Sequence, residues 1–429
     1  MKRIIYQVLP RLWGNGRMSA WKKSSFDYMR SLGVDYIWFT GIPRHATGKD
    51  FVKGDPGSMY AITDWTDVNP YLADDPDKRM EEFDLLVKRV HKAGFKMLID
   101  YIPNHVAVDY EGAIVHHNWC DGDWTDTLKN NWDDPRTYDE MLRVLRFWAS
   151  KGVDGFRCDM VELVPPHCLK GLIETLKSEY PGLIFIAEAY QKDNYRCYTD
   201  YVGFDLLYDK SGLYDTLRAI CDHKITAQHI TWNWQWLGDL QPRMLNFLEN
   251  HDEQRMAAPE FLGDVERSFA PLATSLLFND ASFMLYFGQE VGEDAADGAA
   301  GRTSIFNWCK PESISALNAM VHKKKALDPR REGILARYRE LLSYAALPVF
   351  RNGSCWDLCY CNNWSYGFNS DRHFAFVRFD EECAYLVVCN FDSCNADMEI
   401  AIPAEIQDKC NCGTVSISVN AGDAAIVKF

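Results

Sequence analysis

Eight short apolar runs, separated by segments of helical period, constrain this 429-residue chain more than any other feature. They are Ile4–Leu9, Asp35–Thr40, Lys96–Tyr101, Asp154–Asp159, Leu183–Ala187, Phe204–Tyr208, Met244–Leu248 and Ser282–Phe287. Each is bounded by turn residues and is too short for a buried helix, so each reads as a strand. Helical stretches lie between most of them, at Ser25–Leu32, Pro76–Ala93, Thr137–Ser150, His167–Glu179, Leu213–Cys221 and Val265–Phe278. In the second, Met80, Phe83, Leu86, Val87 and Val90 recur at three- and four-residue steps, a stripe suited to the outside of a barrel. The pattern predicts an α/β fold: a (β/α)8 TIM barrel of parallel strands, with reactive groups at the strands' C-terminal ends.

Two connections exceed the length of simple turns. One runs from Gly41 to Asp75 and the other from Asn104 to Arg136, rich in Trp, Asp and Asn; loops of that length are usually functional. The second reads as a short inserted subdomain, residues 104–136, after the third strand. A Gly/Ala/Asp-rich loop at Gly292–Gly301 precedes helical sequence from Ser313 to Tyr344. From Phe350 the texture becomes alternating strands such as Phe374-Ala375-Phe376-Val377-Arg378-Phe379, without amphipathic helices. The expected organisation is a catalytic barrel over 1–103 and 137–345, the insert, and a C-terminal antiparallel β-sandwich over 346–429.

Lys and Arg total 46 against 61 Asp and Glu, a net charge of −15. Such a field repels phosphate backbones and anionic headgroups, so nucleic acid and membrane surfaces are poor partners. No stretch approaches the roughly 18 apolar residues of a membrane span, which excludes membrane insertion. The basic N-terminus breaks its apolar run at Gln7 and has no small-residue cleavage site, so it reads as a first strand and points to a cytoplasmic location. Fourteen cysteines are present, eight of them at or beyond Cys355. Cys355-x3-Cys359 fits zinc spacing loosely, whereas Cys359-x-Cys361 and Cys410-x-Cys412 do not. Free thiols acting as small apolar strand residues are the favoured reading, with disulfides open to an exported chain.

Four polar clusters fall at or just past strand ends: Asp100-Tyr101-Ile102-Pro103-Asn104-His105, Gly155-Phe156-Arg157-Cys158-Asp159, Ala187-Glu188, and Phe247-Leu248-Glu249-Asn250-His251-Asp252. Asp159 and Arg157, two apart on a strand, point to one face, where the guanidinium should lower the carboxyl's pKa and suit it to nucleophilic attack. Glu188 ends an otherwise apolar strand, where desolvation should raise its pKa, as a general acid requires. Two such carboxylates roughly 5–5.5 Å apart form the working pair of a retaining glycosidase. Asp252 can hold sugar hydroxyls as the ring flattens, with His105, His251 and Arg157 as donors. The aromatics Tyr60, Trp65, Tyr71, Trp119, Trp124 and Trp132 in the long loops could stack on sugars. Against this, a lone strand-end Asp is usually a cap, Trp-rich loops usually pack, and Asp100 with Asn104 and His105 can be structural. His45, His116 and His117 lack metal spacing and read as packing or surface residues. Four clusters in register with strand ends are hard to obtain by accident.

These clusters resemble the conserved regions of the α-amylase family, glycoside hydrolase family 13, and the resemblance covers essentially the whole chain. It implies Asp159 as nucleophile, Glu188 as acid/base and Asp252 as transition-state stabiliser. Asp100, His105, Arg157 and His251 would then surround the reacting sugar, with Tyr60 stacking on it. It requires no cofactor; calcium at Asn104, a frequent ligand in the family, closed by Asp121, Asp123 or Asp126, is the one metal it allows. Many members carry Lys-His three and four residues past the nucleophile, where this chain has Glu162-Leu163, so acceptor-side contacts differ. The expected activity is retaining hydrolysis of α-1,4-linked glucans or maltooligosaccharides. The alternatives are transglycosylation or sucrose or trehalose handling by the same chemistry, and a non-catalytic glucan-binding protein.

Overall fold

The computed structural model describes residues 2–52, 54, 57–296 and 311–429, so the end of the Gly292–Gly301 loop lies outside the described residues. Eight strands close into a barrel: β1 (Ile4–Val8), β2 (Tyr36–Phe39), β3 (Lys96–Tyr101), β4 (Gly155–Cys158), β5 (Ile184–Ala187), β6 (Leu206–Tyr208), β7 (Met244–Phe247) and β8 (Ser282–Tyr286). All pair in parallel with their chain neighbours, and β1 completes the ring by pairing Ile4 with Phe283 through Gln7 with Tyr286. Nearly every strand residue is buried, as expected of a sheet covered on both faces. The register sets Asp100 of β3 opposite Arg157 of β4, which places both on one interior level.

Six helices follow the predicted order, with α6 additional to them: α1 (Lys23–Ser31), α2 (Arg79–Lys92), α3 (Pro135–Ser150), α4 (Pro166–Glu179), α5 (Asp215–Cys221), α6 (Gln228–Leu237) and α7 (Phe269–Leu277). In α2 the stripe buries Phe83, Leu86, Val87 and Val90. The start of α3 is set by Asp134, which accepts from the Arg136 amide, and by Pro135 in the first turn. Helix α6 was not expected, because Trp232, Trp234 and Trp236 alternate with polar residues at strand period. Only Ile230, Asn233 and Leu237 are buried, at helical spacing. The helical stretch at Ser313–Tyr344 is two helices, α8 (Glu312–Lys323) and α9 (Pro329–Ala345). Lys324 turns left-handed at φ 56°, and Asp328 and Pro329 then start α9.

Two antiparallel ribbons rise from the barrel's loops. Pro43–His45 pairs with Ile62–Val68, and His105–Ala107 pairs with Thr127–Lys129. The C-terminal strands are β9 (Ser354–Asp357), β10 (His373–Phe379), β11 (Ala384–Asn390), β12 (Ala396–Ala401), β13 (Thr414–Val419) and β14 (Ala424–Lys428). They form a four-stranded sheet in the order β9-β10-β11-β14 and a two-stranded sheet, β12-β13, all antiparallel. Short helices interrupt this region, contrary to expectation: Cys359–Asn362, for example, is one helical turn, so Cys359 and Cys361 are not strand neighbours. The thirteen cysteines among the described residues are unpaired, and Cys389 lies buried in β11 with its sulfur 3.4 Å from Thr274 Oγ1 of α7.

Helix α7 lies between barrel and sheet. All nine of its residues are buried, and Phe278 just beyond it packs on Phe374 and Phe376 of β10 at 4.7 and 5.1 Å between ring centres. Buried Arg378 of β10 crosses the joint. It donates to Phe278 O at 3.1 Å, Asp280 Oδ1 at 2.8 Å, Gly353 O at 2.8 Å and Val349 O at 3.2 Å.

Candidate active site

The C-terminal ends of β3, β4 and β5 and the segment after β7 converge on one buried guanidinium. Arg157 is fully buried, ringed by Trp38, Tyr60 and Tyr208 at 5.5, 5.4 and 5.5 Å from their ring centres. A cation so enclosed must be paired. Its Nη1 lies 2.5 Å from Asp159 Oδ1, and its Nη2 lies 2.8 Å from Glu188 Oε1 and 3.9 Å from Asp252 Oδ2. Three carboxylates from three separate parts of the chain thus share one charge.

Glu188 is held at both oxygens. Oε2 accepts from the Met160 amide at 2.8 Å and Oε1 from Tyr190 Oη at 2.7 Å. Met160 makes its bond from a left-handed backbone, φ 43°, directly after the nucleophile candidate, a conformation that costs a non-glycine residue free energy and clusters at functional sites. Burial raises the Glu188 carboxyl's pKa, as expected. For Asp159 the expectation fails. Its pKa is also raised, because desolvation of a fully buried carboxyl exceeds the opposing pull of Arg157. A hydrogen bond from Glu188 opposes that rise at Asp159, and the two carboxyls titrate as a pair.

Asp252 is about one-third exposed, facing the open side, with Oδ2 3.2 Å from His251 Nε2. Gln7 Nε2 donates to His251 Nδ1 at 2.7 Å, which leaves the Nε2 proton for Asp252 or Tyr60. Burial and, after it, the neighbouring Arg157 together lower the His251 pKa to about 3, so the ring is a neutral donor. Tyr60 stacks on that ring at 5.3 Å and bonds both His251 Nε2 and, at 3.3 Å, Asp100 Oδ1. Gly41 N closes the other Asp100 oxygen at 3.2 Å. This approach needs a glycine: φ is +85°, and a Cβ at position 41 would sit 2.4 Å from Met59 Sδ. Burial pushes the Asp100 carboxyl up to about 7. His105, lowered to about 4 by burial, bonds the Tyr60 backbone and packs against Trp124.

All eight expected sugar-contacting residues therefore lie in one connected cluster. The loop aromatics divide: Tyr60 belongs to it, whereas Trp65 is buried in the core and half-exposed Trp119 lies against His117 and Lys129. No role at the site was anticipated for Gln7, Met160, Glu162, Tyr190 or Tyr208, although Glu162 stands out as a departure from the family's lysine. Gln7 was legible in principle as a polar residue inside an apolar strand, and Tyr190 as a same-face neighbour two residues beyond Glu188.

Asn104 Nδ2 donates to Asp121 Oδ2 at 2.8 Å, and Lys129 Nζ lies 3.1 Å from Asp121 Oδ1. The lysine supplies the positive charge that calcium would bring. Asn104 Oδ1 is buried without a hydrogen-bond partner, but one such oxygen falls short of the six to eight ligands of a calcium site. Among the described residues no group of three His, Cys, Asp or Glu side chains is placed to hold a metal. The arrangement does not fit calcium.

The family description "Alpha amylase, catalytic domain" matches residues 23–126 and 119–335, the span that carries these clusters. The chain belongs to the α-amylase family. Family members include glycoside hydrolases and transferases. An amino acid transporter heavy chain, SLC3A1 of Rattus norvegicus, is 25% identical over 232 residues, 42% of this chain and 32% of that protein. Alpha-amylase MalA of Haloarcula japonica is 25% identical over 428 residues, 91% of this chain and 55% of that protein. The chain thus spans a third to about half of these relatives. The crystal structure of an α-amylase from Lactobacillus plantarum superposes with a TM-score of 0.74 at 19% identity, over all of this chain and 98% of that one, a likeness of fold. No helix among the described residues of this α-amylase relative is long and apolar enough to cross a membrane.

Proposed function

We propose that the protein is a retaining glycosidase acting on α-1,4-linked glucans or maltooligosaccharides. The observation that carries the reading is Arg157, whose one guanidinium gathers Asp159, Glu188 and Asp252. In the first step Glu188 gives its proton to the glycosidic oxygen while an Asp159 oxygen bonds the anomeric carbon. The carbon–oxygen bond to the leaving sugar breaks, leaving a glycosyl ester. Glu188, now a carboxylate, takes a proton from water, whose oxygen displaces Asp159 and restores both groups. Asp252 and the neutral donor His251 face the sugar's hydroxyls, where bonds that tighten as the ring flattens accelerate the step.

The binding-only alternative is disfavoured because each carboxylate and its partners are in place. Transfer to a sugar acceptor shares every step up to the acceptor. Asp159→Asn should abolish turnover of starch and maltooligosaccharides while the fold persists, and survival of activity would overturn the assignment. Products of maltoheptaose then separate the two reactions, since oligosaccharides longer than seven units mark transfer.

A further inference from the structure

Glu162 stands where many family members have the lysine of Lys-His, and its carboxylate is committed within the protein. It follows β4 in a single turn, Val161–Leu163, and accepts from two consecutive amides of the loop after β5: Tyr190 N at 3.1 Å on Oε2 and Gln191 N at 2.9 Å on Oε1. One carboxylate thus ties the β4 loop to the β5 loop at the residue whose phenol reaches back, at 2.7 Å, to Glu188 Oε1. A phenol hanging on a free loop would lose this bond to loop motion; two charge-assisted bonds to its own backbone remove that freedom.

We propose that Glu162 is a positioning residue that, through Tyr190, sets the orientation and proton affinity of Glu188. The inference rests on Glu188 being the acid/base. Tyr190 Oη, a donor, stabilises the Glu188 carboxylate, as does the Met160 amide, so losing the phenol raises the Glu188 pKa. Other ionisable groups around Glu188 include Arg157 of β4, Asp159 just beyond that strand, Tyr208 of β6, His105, His251 and Asp252, which shares Arg157 Nη2 with Glu188. None is altered by the substitutions below. Glu162 itself carries a negative charge. Neutralising it through space would lower the Glu188 pKa, whereas releasing Tyr190 would raise it. The two routes have opposite signs.

The test uses the full chain labelled with [13C]glutamate, the Glu188 signal being the one absent from Glu188→Gln. Tyr190→Phe should move the Glu188 titration up by about one pH unit, the equivalent of one charge-assisted bond. Glu162→Gln should move it in the same direction by less. The double variant should not exceed Tyr190→Phe, since the upward shifts act through one contact and the lost charge at Glu162 acts in the opposite direction. On maltotriose or a nitrophenyl maltooligoside, the basic limb of the pH–rate profile should move up with the titration, and kcat should fall several-fold more than KM changes. A downward shift in Glu162→Gln, full additivity in the double variant, or an unmoved titration in Tyr190→Phe would overturn the proposal. A wild-type chain without glucan turnover would instead refute the glycosidase reading, while the titration would still report on the relay.

Discussion

Arg157 Nη1 stands 2.5 Å from Asp159 Oδ1, yet the Asp159 carboxyl titrates above its ordinary range. Proximity to a cation is therefore a poor guide to ionisation when both partners are dry. The guanidinium also contributes geometry, because Nη1 and Nη2 of its planar fork stand beside Asp159 and Glu188 at once.

Replacing that fork with a point charge tests the claim. Arg157→Lys keeps the charge but cannot span two carboxyls, so kcat should fall on the order of 100-fold or more, with KM much less affected. Steady-state kinetics on maltooligosaccharides, with circular dichroism to verify folding, would show it. Near-wild-type kcat would assign Arg157 a purely electrostatic role.

Asp100 predicts a pH dependence of stability. Burial raises its folded pKa to about 7, whereas an unfolded Asp titrates near 4. Between those values the folded chain holds a proton the unfolded chain has lost, so this group's contribution to stability falls as pH rises through the window. Asn has no such loss. Asp100→Asn should therefore gain on the wild type by a few kcal/mol between pH 4 and pH 8 in urea unfolding. A constant difference would refute the shift.

At the joint, Arg378→Met removes donors from four backbone carbonyls and Asp280. Leaving the four buried carbonyls without donors, Asp280 being half-exposed, should cost about 3 kcal/mol or more. The readout is the midpoint of chemical denaturation. A loss below about 1 kcal/mol would mean that water replaces the arginine.

Lys129 on Asp121 leads to the fourth expectation. Excess EDTA should leave both the thermal midpoint and the activity unchanged, and added calcium should not raise the midpoint. A fall of several degrees on chelation, reversed by calcium, would contradict it.

Much of this was legible because strand spacing is a covalent property. Arg157 and Asp159 had to share a face, and Glu188 had to end an apolar strand, whatever their partners. The Asp159 pKa was misjudged because sequence names the neighbouring charge but not the depth of burial, and here burial dominates. The Glu162–Tyr190 tie escaped because it is made by backbone amides, which every residue carries and no motif distinguishes. Helix α6 escaped because three alternating tryptophans imitate a strand.

Helix α7 offers no face to water: one side backs the barrel, and Phe278 just beyond it meets the C-terminal strands. The tail is thus part of the wall rather than an appendage. Chimeras that exchange it for another protein's cassette should yield insoluble chains unless the helix and its arginine clasp travel with the graft.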